Sequence, residues 1–290
     1  IGNEVFHFLR GPFSIIINDK KNKNVYAASD NNNFYPIYFF HEQHRVIFSS
    51  DPRAFFSNNI LSKEIDEEIL FDYLVCGLPR EGRTIYKNIR HVAGSSSIHL
   101  SKDFEKISCE KYFSFKSNHE SATHSIQKTK DVFLKAIYSK LSKIGTNIGT
   151  MLSGGLDSSS ITSAVDHLNK NKKMNKKIHT YSAIFPDLDE SQKILADESA
   201  YIDSVLTKID ASSTKIPFNK NGPLKILNEL TDVCEPALAP NLYITFSILK
   251  ELQKENVRYL FDGSGGDSVL GHGHARFREL GQNFKLSSLF

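Results

Sequence analysis

The stretch Met151-Leu152-Ser153-Gly154-Gly155-Leu156-Asp157-Ser158-Ser159-Ser160 is the most informative chemistry in the chain. Two adjacent glycines let a backbone turn sharply and present consecutive N–H groups. Ser153, Ser158 and Ser159 add hydroxyl donors. A strand reads into this turn and a helix reads out of it, so the positive end of the helix opens on the same space. Such a turn is an anion site suited to phosphate or pyrophosphate. It is not the GxxxxGK[ST] loop, because the lysine and the spacing are missing. Asp157 would repel a bound phosphate unless a divalent cation stood between them, and Mg²⁺, with its preference for oxygen, resolves the conflict. The plain alternative is a Gly-Gly turn with a Ser/Asp helix cap.

Around the turn, long helices alternate with short strands. Asn147–Leu152 reads as a buried strand, and Ser158–Leu168 as a helix with Ile161, Ala164, Val165 and Leu168 at i, i+3, i+4 and i+7. Ser121–Leu141, Asp197–Ile209 and Asn241–Glu255 are further helices. Ser121–Leu141 reads as helical by its length and by Ile126, Val132, Phe133, Ala136, Ile137 and Leu141. Ile178–Phe185 and Val257–Phe261 are further strands. This alternation predicts a parallel sheet covered on both faces. The first 115 or so residues differ. Phe13–Ile17, Val25–Ala28, Pro36–Phe40 and Val46–Phe48 read as strands joined by polar turns. A helix over Glu64–Val75 carries Ile65, Ile69, Leu70 and Tyr73, and Ser97–Leu100 and Tyr112–Phe113 close the series. The polar segment 116–120 is a domain boundary, giving an α+β domain over 1–116 and an α/β domain over 117–290.

Composition removes several classes. With 290 residues, two domains are expected at roughly 150 residues each. Hydrophobic residues at 40% and charged ones at 24% describe a globular chain, too apolar for disorder. No run approaches the roughly 18 apolar residues of a membrane helix, so no membrane partner is expected. Cys76, Cys109 and Cys234 are too few for a secreted disulfide scaffold and lack zinc spacing. The opening IGNEVFHFLR has no signal-peptide pattern and no initiator Met, and reads as a cytoplasmic protein with its amino end cut away. The net charge is only +3. Asn169–Lys177 concentrates five lysines, but no aromatic residues interleave to stack on bases, so nucleic acid is not expected.

SGGLDSS, residues 153–159, resembles the pyrophosphate-binding loop of the ATP-pyrophosphatases, and in particular the synthetase domain of the asparagine synthetase family. Gly263-Ser264-Gly265-Gly266-Asp267 looks like that family's G-x-G-[GS]-D segment, and its Asp267 lies 110 residues after Asp157. Asp197-Glu198 followed by Tyr201 is similar to the family's DE-containing helix start. Glu235-Pro236 with Pro240-Asn241 is a weaker match. In the amino half, Leu9–Phe13, Ser29-Asp30, Pro36–Tyr38, Ser49–Asp51 and Gly82–Tyr86 look like successive pieces of a glutamine amidotransferase domain.

The resemblance implies an Ntn amidotransferase-like α+β domain without its amino end, then an α/β ATP-pyrophosphatase domain without its carboxyl end. ATP and Mg²⁺ would be the cofactors. Ser153, Gly154, Gly155, Asp157, Ser158 and Ser159 would bind ATP and pyrophosphate. Leu152, Ala183, Asp262 and Gly263 would line the adenosine, and Asp157 and Asp267 would hold the metal. The implied reaction activates a small-molecule or peptide carboxylate as an acyl-adenylate, releases pyrophosphate, and forms an amide when an amine attacks.

Three departures open alternatives. Ser264 stands where asparagine synthetases have glutamate and β-lactam synthetase has tyrosine, and an unaided serine is no general base. Ser268 replaces an acidic residue, and Gly271-His272-Gly273-His274 replaces a glycine/aromatic ending. These shifts resemble the lasso-peptide macrolactam cyclases, with His272 and His274 as substrate contacts or plain surface histidines. A non-catalytic nucleotide-binding scaffold is the third reading. The family's glutaminase uses an amino-terminal cysteine, and none precedes Cys76, which reads as a buried core thiol. No glutamine-binding or catalytic residue is assigned, and the family's catalytic lysine is expected beyond Phe290.

Overall fold

Strand β2, Asn24–Ser29, sends Val25 and Ala27 to one side and Tyr26 and Ala28 to the other, as a pleat requires. The computed structural model describes residues 3–57, 60–76, 81–101, 104, 106–115, 122–218, 223–233 and 241–270. The chain divides into two units, Ile1–His119 and Glu120–Phe290.

In the first unit, β1 (Ser14–Asp19), β2, β6 (Ser96–Leu100) and β7 (Ile107–Lys111) form an antiparallel sheet in the order β1-β2-β6-β7. A second antiparallel sheet has β3 (Tyr38–Glu42) between β4 (Arg45–Ser49) and β5 (Arg90–His91). Val25, Ala27, Ile98 and Leu100 of the first sheet meet Phe39 of the second in one core. Phe40 turns the opposite way, onto Phe55, Tyr86 and Ile89.

Several sequence motifs of this unit act as braces. Asp30 is buried and accepts backbone N–H bonds from Phe13 at 3.2 Å, Asn32 at 2.9 Å and Phe34 at 3.1 Å. Thr84 Oγ1, also buried, donates to the carbonyls of Tyr86 and Ile89.

Two expectations need correction. The helix α1 is Glu67–Cys76, because Ile65 is taken up in a bridge with Tyr86 and stands 41% exposed. The last strand is Ile107–Lys111, and Tyr112 lies just past it. Tyr112 is an anchor rather than a ladder residue, since its buried hydroxyl donates to the Ser29 carbonyl at 2.6 Å. Tyr112→Phe leaves that carbonyl without its partner, so urea denaturation should show a loss of about 1–3 kcal/mol.

In the second unit, β8 (Asn147–Met151), β9 (Lys177–Ile184), β10 (Ser212–Pro217) and β11 (Leu260–Phe261) form an all-parallel sheet in the order β10-β9-β8-β11. One face packs Ile148 and Ile178 against α2 (Ala122–Leu141) and α3 (Leu156–Asn171) through Ile137, Leu141, Ala164, Val165 and Leu168. The other packs Tyr181 against Ile248 and Leu252 of α7 (Leu242–Lys254), which follows α6 (Leu227–Val233) in the chain. The parallel sheet covered on both faces is therefore present.

Here too the details differ. Ile126 and Val132 are 77% and 59% exposed, because the buried stripe of α2 runs through Ile137 and Leu141 with Phe133 partly covered. The segment expected as one helix from Asp197 is α5 (Ser199–Leu206), with α4 (Glu190–Ala196) before it, closed by a capping box between Asp189 and Gln192. β10 was not expected, because an edge strand can keep the polar sequence SSTKIP. β11 holds only two of the five residues read as strand. The lysine run makes local contacts. Lys170 pairs with Asp166 at 2.8 Å, and Lys176 Nζ donates to the Ile144 carbonyl at 2.7 Å.

Tyr181 is fully buried and donates to Glu255 Oε2 at 2.5 Å. Burial first, then this bond and the Glu255 and Glu251 charges, push the phenol well above its ordinary pKa. The native state thus keeps a proton that the unfolded chain loses near pH ~10. This contribution is whole below that pH and is lost as pH rises through the folded pKa. Thermal melts on either side of pH ~10 should fall more steeply for the wild type than for Tyr181→Phe.

His272, His274, the boundary residues 116–120, Glu235-Pro236, Pro240, Cys234 and the side chain of Cys76 lie outside the described residues. Among the described residues, no helix is long and apolar enough to cross a membrane.

Candidate active site

Strand β8 ends at Met151, and the Leu152 N–H is still held by the Tyr181 carbonyl at 2.9 Å. The chain then leaves the sheet and turns. Gly154 has φ +90°, a conformation that favours glycine. A Cβ there would come within 3.0 Å of the Glu198 carbonyl and of Tyr201 Cβ. The first turn of α5 therefore forms a wall behind the glycine. Asp197 sets that helix start: its Oδ1 accepts the Ser199 N–H at 3.0 Å, and bonds from Ser199 hold its carboxyl below the usual range.

The serines inside the turn bind one another. Ser158 Oγ accepts the Ser153 N–H at 3.1 Å and lies 2.9 Å from Ser153 Oγ. Ser153 Oγ accepts the Gly155 N–H at 3.3 Å. Gly155 is the N-cap of α3, and no side chain of the cap closes the helix. A glycine N-cap has no side chain to close the helix, and a helix N-terminus is the end that favours an anion.

The second glycine turn follows β11. Asp262 Oδ1 accepts the Ser264 N–H at 2.7 Å and shapes it. Gly263 passes so close to α3 that a Cβ would lie 2.7 Å from the Ser158 nitrogen. A Cβ on Gly266 would come within 2.8 Å of Asp157 Oδ1, and closer still to Cγ and Oδ2. Asp157, half-buried, therefore lays its carboxylate against Gly266, the residue before Asp267 at the start of α8 (Gly266–Leu270). No described residue donates a hydrogen bond to that carboxylate.

The sheet order explains the meeting. From β8 the chain moves to β9 on one side and reaches β11 on the other, so β8 and β11 flank a switch point, where ligands of open α/β sheets bind beyond the carboxyl ends. Ser153–Ser159 and Asp262–Asp267 are the two turns there. Of the adenosine-lining candidates, Ala183 stands half-buried one residue before the end of β9, and Asp262-Gly263 begin the second turn. Leu152 is 1% exposed, so it is buried at the end of β8 rather than open on the crevice. Ser264 is exposed. Ser159 turns inward, with a buried hydroxyl and no partner. Sequence reasoning missed the wall made by Glu198 and Tyr201, and the role of Gly266 as the seat of the Asp157 carboxylate. Only the glycine run itself signalled close approach.

Residues 128–288 match the family model described as asparagine synthase, and residues 1–113 match that of a glutamine amidotransferase domain. Asparagine synthetase (glutamine-hydrolyzing) 1 of Bacillus subtilis (strain 168) is 26% identical over 280 residues, covering 93% of this chain and 41% of that protein. Asparagine synthetase (glutamine-hydrolyzing) 3 of the same organism is 24% identical over 272 residues, covering 91% and 43%. A putative asparagine synthetase (glutamine-hydrolyzing) 2 of Methanocaldococcus jannaschii is 21% identical over 277 residues, covering 93% and 51%. The chain thus spans about half or less of the length of these relatives.

Proposed function

Because the chain belongs to the asparagine synthase family, we propose that its second unit binds ATP at the switch point and activates a carboxylate for amide formation. The observation that carries this reading is the abutment of the two glycine turns, with the Asp157 carboxylate against Gly266 beside Asp267. The Gly154 amide and the start of α3 are the donors for the pyrophosphate, with Ser153 Oγ, which accepts the Gly155 N–H, beside them. The ends of β8, β9 and β11 provide the adenosine wall.

Mg²⁺ fits this site. Among the described residues no cluster of three or more His, Cys, Asp or Glu could cage a metal. Mg²⁺ in nucleotide sites needs no such cage, since one or two carboxylates plus substrate phosphates suffice. Asp157, with no described donor to its carboxylate, and Asp267 would hold the ion, which supplies charge neutralisation at the phosphates. The chain's own groups orient the phosphate tail and hold it in line for attack by the substrate carboxylate, which forms an acyl-adenylate and expels pyrophosphate.

The substrate is a small-molecule or peptide carboxylate, and Ser264 separates two versions of the reaction. If a glutamate there serves the synthetases, its absence favours an intramolecular cyclisation, in which the amine comes from the same peptide. ATP–pyrophosphate exchange by the full-length protein is the test. Exchange driven by aspartate supports an asparagine-type ligase, exchange driven only by a peptide carboxylate supports the cyclase, and none with either leaves a nucleotide-binding scaffold and overturns the ligase.

A further inference from the structure

Five buried hydroxyls without a hydrogen-bond partner among the described residues are gathered beneath the first turns of α3: Thr150, Ser159, Thr162, Thr180 and Ser182. Thr150, Thr162 and Thr180 are 0% exposed and Ser182 1%. Their shared location follows from the sheet. Thr150 of β8 and Thr180 of β9 are register partners. Each stands two residues after an isoleucine, Ile148 or Ile178, that packs into the core under α3, so both point to that side. Ser182 follows on the same face. Ser159 and Thr162 are one turn apart on α3.

A buried hydroxyl with no partner loses the bonds it had in water, so native structures rarely leave one alone, let alone five together. The paired hydroxyls of Thr150 and Thr180 do not bond each other, and with neighbouring strands about 4.8 Å apart one bridging water reaches both. Buried polar spaces hold water that makes about three such bonds, while cavities that stay dry are apolar. A metal cation is disfavoured here. None of the five groups is charged, and the helix end above them carries positive potential.

We propose that ordered water is bound among Thr150, Ser159, Thr162, Thr180 and Ser182, forming an internal hydration site behind the turn at 153–159. The inference does not depend on the ATP reading. The site ties the start of α3 to β8 and β9 through solvent, and it engages Ser159 from the inside while Ser153 and Ser158 bond each other in the turn. Of the serines read as phosphate ligands, Ser159 is thereby reassigned to the interior.

The test uses the full-length protein. A high-resolution crystal structure should show at least one water within about 3.2 Å of both the Thr150 and Thr180 hydroxyls. Oxygen-17 relaxation dispersion, which counts long-lived internal waters, should lose about one water in Thr180→Val and none in Thr180→Ser. Thr180→Val should also melt about 2–4 °C lower. A wild-type structure in which the five hydroxyls bond directly to protein groups with no water between them overturns the proposal. So does a dispersion amplitude unchanged in a folded Thr180→Val. Should Thr180→Val fail to fold, the wild-type map and Thr180→Ser decide.

Discussion

Asp157→Asn and Asp267→Asn will each lower ATP–pyrophosphate exchange by about two to three orders of magnitude, while the folded state survives. The amide keeps the shape of the side chain and removes the charge that a divalent cation requires. Stability should change little at Asp157, since no described residue hydrogen-bonds to its carboxylate. A loss of exchange with unchanged melting therefore separates a metal-holding role from a structural one. Raising the magnesium concentration should restore part of the activity in either variant, because a weakened site fills by mass action. Unchanged exchange in both variants would remove the metal assignment and, with it, the main chemical argument for the crevice.

The second large effect is steric. Gly263→Ala places a methyl group 2.7 Å from the Ser158 backbone nitrogen, and no rotation of a side chain can relieve it. The second turn must move away from α3. A displacement of about 1 Å at a reacting site can lower rate by about 100-fold, and exchange should fall at least that far. Gly265→Ala is the control. Its φ is +81°, so alanine there is strained by about 1–2 kcal/mol, yet nothing lies within 4 Å of the new methyl. It should cost stability while leaving most of the exchange. If Gly263→Ala keeps full exchange, the close seating of the two turns is not what assembles the site.

Both predictions rest on a contact between segments about a hundred residues apart, and this marks the limit of what the chain reveals locally. The turn at 153–159 was legible because glycine pairs, hydroxyls and a following apolar stripe each have a local cause. So was α3, whose Ala164, Val165 and Leu168 are buried as their spacing requires. In the amino unit, β1 to β4 followed from short β-branched and aromatic runs between polar turns. Polar edge strand β10 escaped notice for the opposite reason, since solvent on its flank removes the need for apolar residues.

By itself, then, the sequence determined one glycine- and hydroxyl-rich turn between a strand and a helix, a second glycine-rich turn ending in a carboxylate, and alternating elements that require a covered parallel sheet. Only the tertiary structure decided that β11 pairs with β8, which sets Asp157 against Gly266 and places the Glu198–Tyr201 wall behind Gly154. It also turned five hydroxyls inward beneath α3. The physical reason is one of range. Turn conformation and helix periodicity arise from neighbours within a few residues, whereas strand order is chosen by hydrogen bonding and burial over the whole sheet.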